Sequence, residues 1–135
     1  MAKCLVQSTS AEDQATLVKW IFAQLALNPA VKPLSSVNAK QRDTLDRQMA
    51  VIYGRLIFSD CHKETVDALK YEGALGFQQS FSVLGQVAAR GLMSNPAVVA
   101  GLQAFGKYSD KEKMNQLYKD AGLPPPTFPT SKPVK

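Results

Sequence analysis

Apolar residues recur along this chain at the three- and four-residue spacing of an amphipathic helix. The clearest stripe follows increments of four, three and four and contains Leu45, Met49, Ile52 and Leu56. On a helix these positions share one face over about five turns. Comparable stripes predict five to six helices, depending on whether the chain stays helical through Ser59, near residues 11–27, 39–58, 61–72, 74–93, 96–105 and 110–121.

Polar residues and glycine mark where these helices begin and end. Thr9 with Glu12 and Ser10 with Asp13 are two overlapping capping patterns, in which the residues satisfy each other's free backbone amides, and Asn38 with Gln41 matches the same pattern. Gly73 stands where a left-handed residue commonly follows a helix. These positions support the predicted boundaries independently of the apolar stripes.

The remaining stretches predict neither a sheet nor a second domain. Leu5–Gln7 is too short to carry a sheet, and no Asn-Gly or Asp-Gly turn joins alternating segments. We therefore expect an all-α fold, a compact orthogonal or irregular bundle, with residues 1–122 as a single helical domain. Residues 123–135 hold five of the chain's eight prolines, so an extended or disordered tail is predicted there.

Charge and hydropathy narrow the function classes. Sixteen basic residues against eleven acidic ones give a net charge of +5. The basic residues of the second predicted helix are interleaved with acidic ones, which argues against a phosphate-binding stripe and makes nucleic acid a weak alternative partner. No run of about 20 apolar residues occurs, so no membrane span is predicted.

The stretch SDCHKET, residues 59–65, holds the only histidine of the chain beside one of its two cysteines. A zinc site needs three or four ligands, and Cys61 and His62 would point about 100° apart on a helix, which also disfavours a catalytic dyad. We predict no metal, no cofactor and no catalytic residue. The expected role is a charged helix surface, a candidate surface site formed by His62, Lys63, Asp67 and Lys70.

Cys4 and Cys61 are the only two thiols, and we expect them to form a disulfide. Such a bridge would indicate an oxidising compartment, either a bacterial periplasm or the extracellular space. Because Met1–Ser10 shows no secretory signal, we expect that a signal peptide is missing from this sequence. The alternative is a pair of ordinary buried thiols in a cytoplasmic protein.

Aromatic residues offer the one hint of a ligand pocket. Trp20 and the set Phe77, Phe81 and Phe105 occur at helical spacing, which favours the bundle interior over the lining of an apolar pocket.

These observations predict a small exported binding protein that acts on another protein. At the level of class it looks like the small exported helical proteins of bacteria, among which are immunity proteins, but no motif assigns it to a family. A cytosolic helical regulator or weak nucleic-acid binder is one alternative, and a cofactor-independent enzyme is another.

Overall fold

Seven α-helices and no strand occur in residues 1–127, the part of the chain that the computed structural model describes. The all-α prediction is therefore confirmed. The helices are α1 Ala2–Ser8, α2 Ala11–Leu25, α3 Ala39–Arg55, α4 His62–Tyr71, α5 Gly73–Met93, α6 Pro96–Gln103 and α7 Lys111–Asp120. Residues 123–127 form no regular secondary structure, and the rest of the predicted Pro-rich tail lies outside the described residues.

Helix starts are set by the predicted caps. The Ser10 side chain accepts from the Asp13 amide at 3.0 Å, and the Asp13 carboxylate accepts from the Ser10 amide at 3.0 Å. Asn38 and Gln41 exchange the same two bonds at the start of α3. Gly73, which follows the last turn of α4, has a φ of 69°, the left-handed conformation predicted for it.

Two features of the backbone were not predicted. The first is α1, which raises the helix count to seven and fully buries Leu5. The second is a π-helical turn, Leu56–Asp60, by which α3 ends before the chain restarts as α4. The Cys61 amide donates to the Leu56 carbonyl at 2.8 Å, which closes this turn.

A core cluster unites α1, α2, α3, the π-helical turn and α5. Its buried members are Leu5, Leu17, Ile52, Leu56, Cys61, Leu84 and Ala88. The members from α3 and α5 lie on the predicted stripes, which shows that the helical period located the inner faces. Phe81 packs against this cluster, but Phe105 is 74% exposed, so its expected interior position is wrong.

The chain forms two compact units. The first spans Met1–Leu92 and contains the core cluster, and the second begins at Met93. In the described part of the second unit, every residue is exposed or only partly buried. This part contains α6, a short 3-10 segment and α7. The single domain over residues 1–122 stays a prediction.

Candidate functional site

The two cysteines that the sequence pairs lie together. Their Cα atoms are 5.9 Å apart, within the range of a disulfide, and their sulfur atoms are at bonding distance. Helix α1 carries Cys4, and Cys61 follows the π-helical turn. In this arrangement neither sulfur is a free nucleophile or metal ligand.

Arg55 joins three segments beside this pair. Its Nη2 donates to Asp13 Oδ2 at 2.5 Å, and its Nε donates to Asp60 Oδ2 at 3.0 Å. The hydrogen bond from Arg55 holds the pKa of Asp13 below its ordinary value, against the opposing effect of burial. The cluster fixes the start of α2 to the end of α3. Asp13 and Arg55 are 42 residues apart, so no local spacing in the sequence indicates that they form a pair.

The candidate surface site lies on the solvent side of α4. His62 is exposed at the first position of the helix, and Lys63 Nζ pairs with Asp67 Oδ2 at 2.9 Å. Lys70 Nζ lies 5.1 Å from the centre of the Tyr71 ring. None of the four predicted residues lines either of the two grooves described below. A functional role for this surface stays a prediction.

The first groove, which we name the lysine groove, lies between α2, the connector before α3, the start of α3 and the end of α5. Its volume is about 620 Å³. The apolar part of its lining consists of Val18, Phe22, Val37, Leu45 and Leu92. Phe22 is 54% exposed, which leaves a large aromatic surface open to solvent. Lys19 and Lys40 also line the groove, and among residues 1–127 no carboxylate does.

The second groove, which we name the aromatic groove, lies between α2, α3 and α5 and has a volume of about 470 Å³. Its aromatic lining consists of Trp20, Tyr53 and Phe81. The rings of Tyr53 and Phe81 are tilted against each other with centroids 5.0 Å apart. Asp46 is the charged residue of the lining, and it accepts a hydrogen bond from Trp20 Nε1 at 2.8 Å.

The sequence favoured the bundle interior for Trp20 and Phe81 and left the lining of an apolar pocket as the alternative; both residues line the aromatic groove, and the lysine groove was not predicted. Both residues do pack against the core cluster, and each is only partly buried because one side faces the aromatic groove. The spacing of the residues shows which face turns inward. It does not show where neighbouring helices diverge and leave that face uncovered.

Residues 1–127 hold neither a metal cluster nor a membrane-spanning helix. In that part of the chain no three His, Cys, Asp or Glu side chains gather at a place that could hold a metal ion. None of the helices there combines the length and the apolar character that crossing a bilayer would require.

No protein-family model, curated protein or solved structure matches the chain. A function for this protein therefore has to be inferred from the grooves and their chemistry.

Proposed function

We propose that this protein is an exported binding protein that acts on another protein through the lysine groove, without catalysis. The observation that carries the proposal is the exposed aromatic ring of Phe22 within an apolar groove whose charged lining residues are both lysines. Exposed apolar patches rimmed by polar residues are typical of protein interaction sites.

The groove favours one kind of occupant. Val18 and Phe22 are one helical turn apart on α2 and face Leu45 of α3 across the groove, as in sites that bind the apolar face of a partner helix. Lys19 and Lys40 add positive charge, and the whole chain carries +5. The partner segment is therefore an amphipathic helix with apolar anchors and acidic residues at its flanks.

The cysteine pair supports the proposed compartment. Two thiols at disulfide distance fit an oxidising environment, a periplasm or the extracellular space. An exported protein that covers an acidic partner surface would suit an inhibitor or immunity-type role. Intact mass before and after reduction, measured on protein from its natural source, tests this part: a gain of two hydrogens on reduction is expected, and an unchanged mass contradicts export.

The binding part is tested with synthetic peptides. Two amphipathic helical peptides share one apolar face and carry either glutamates or lysines at its flanks, and fluorescence anisotropy measures their affinity. We expect the glutamate peptide to bind more tightly. Phe22→Ser should weaken its binding about tenfold or more, as for an interface anchor, whereas Phe58→Ser, at an aromatic ring 74% exposed outside both grooves, should not.

Two double variants with the same change in net charge test whether peptide binding depends on the lysine groove or only on the net charge of the protein. Lys19→Glu with Lys40→Glu should reverse the preference between the two peptides. Lys3→Glu with Lys119→Glu changes the net charge equally at exposed positions outside both grooves and outside the candidate surface site, and it should leave the preference unchanged. Equal effects of the two double variants, or of the two phenylalanine variants, would show that the lysine groove is not the binding site.

A further inference from the structure

The aromatic groove has a different chemistry from the lysine groove. Trp20, Tyr53 and Phe81 present three aromatic side chains, while the partly buried Ile21 and Met49 add aliphatic surface to its lining. A volume of about 470 Å³ is that of a small-molecule site. This groove is not needed for the function proposed above.

Asp46 gives the groove its charge. Its Oδ1 atom accepts hydrogen bonds from Trp20 Nε1 at 2.8 Å and from Gln24 Nε2 at 3.1 Å. Both donors are neutral, and no ion pair within residues 1–127 includes Asp46. The carboxylate is thus held in place beside the rings while its negative charge lacks a cationic partner among the described residues.

We propose that the aromatic groove binds a small organic cation, an ammonium group with apolar substituents. The faces of aromatic rings attract such a cation through their quadrupoles, most strongly for tryptophan, and Asp46 adds a full negative charge. The apolar substituents replace water against the partly buried Ile21 and Met49. A bare metal cation would find a single carboxylate and would lack the six or more oxygen ligands that calcium requires.

The test uses benzyltrimethylammonium chloride as the probe and the intact protein. Trp20 is the only tryptophan of the chain and lines the groove, so its fluorescence reports occupancy directly. We expect a saturable change in emission, with the same dissociation constant by isothermal titration calorimetry. The anion 3-phenylpropanoate, which has a similar apolar body, should bind at least about fivefold more weakly.

Two asparagine variants test whether the probe binds in the aromatic groove or is attracted equally by any carboxylate on α3. Asp46→Asn removes the charge and keeps an oxygen that can accept from Trp20, and it should weaken probe binding about fivefold or more. Asp43→Asn removes one charge from the same helix at an exposed position outside the groove and should leave binding unchanged.

Other outcomes overturn the proposal. These are no saturable signal, equal weakening by the two asparagine variants, or equal affinity for the anionic control. Phe22→Ser, which impairs the lysine groove, should leave probe binding intact, so failure of one proposal is distinguishable from failure of the other. Circular dichroism of each variant confirms that its helices are retained.

Discussion

The bond between Cys4 and Cys61 makes a quantitative prediction about stability. The two residues are 57 positions apart, so the bridge closes a long loop in the unfolded chain. In the chain-entropy model a loop of this length costs about 14 cal/mol/K, or about 4 kcal/mol at 25 °C. Reduction should lower the free energy of unfolding by about that amount, a large share of the roughly 5 to 15 kcal/mol that is typical of native proteins.

The folded state gives little reason to reduce this value. Leu5 is fully buried one residue after Cys4, and Cys61 itself is fully buried, so we expect α1 to keep its packing when the covalent bond is opened. The thiols formed by reduction remain small apolar groups that suit this environment. The effect of reduction is therefore expected mainly in the unfolded chain.

The assay is urea unfolding followed by Trp20 fluorescence, with and without a phosphine reductant. Trp20 lies in the unit Met1–Leu92 that the bridge closes, so it reports the relevant transition. The midpoint should fall by roughly 1.5 to 4 M urea. The double variant Cys4→Ala with Cys61→Ala should show one midpoint in both conditions. A shift below roughly 0.5 M in the wild-type protein, with an unchanged slope, would refute the reasoning.

Two further predictions concern named contacts of the fold. The hydrogen bond from Arg55 lowers the pKa of Asp13 in the folded protein below the ordinary value of 3.8. The ion pair therefore stabilises the fold above pH 3.8, and this stability is lost as the pH falls through the lower pKa of the folded state. Asp13→Asn should thus cost about 1 to 2 kcal/mol at pH 7 in urea titrations, and the cost should shrink as the pH is lowered below 3.8. A cost that does not change with pH would contradict the ion pair. Gly73→Ala should destabilise by about 1 kcal/mol in thermal unfolding because its φ is 69°, whereas Gly85→Ala, whose Cβ would meet nothing within 4 Å, should be neutral or stabilising. The reverse order would contradict the left-handed assignment.

Local signals in the sequence determined much of this fold. The caps and the left-handed Gly73 are properties of a few neighbouring residues. Asn38 and Gly73 were predicted correctly, and Ser10 is one of the two overlapping caps that the sequence offered, the other being Thr9. Helix α1 was missed because seven residues are too few to show a helical period, and so short a helix depends on tertiary packing through Leu5.

The candidate sites depended on contacts that no local spacing encodes. The pairing of Arg55 with Asp13 spans 42 residues, and the exposure of Phe22 depends on how far α5 and the connector stand from α2. The disulfide was within reach of sequence reasoning because the chain has only two cysteines, which leaves a single intramolecular pairing. By contrast, the sequence contains many apolar residues, and their spacing does not indicate which of them line a groove.

Helix α3 explains how one chain carries two grooves of opposite charge. Successive residues turn by about 100°, so the stripe ending in Ile52 and Leu56 faces the core, while Lys40 and Asp46 lie on opposite sides of it, each roughly 90° or more from its centre. The core stripe between them is packed and holds the helix in place. A ligand in the lysine groove therefore meets the side of α3 that carries Lys40, and a ligand in the aromatic groove meets the side that carries Asp46. Since neither ligand would repack Ile52 or Leu56, occupancy of one groove should leave affinity at the other unchanged, as for independent sites. The two proposals are thereby separable in one molecule, and a measured coupling between peptide and ammonium ligand would contradict the independence of the two grooves.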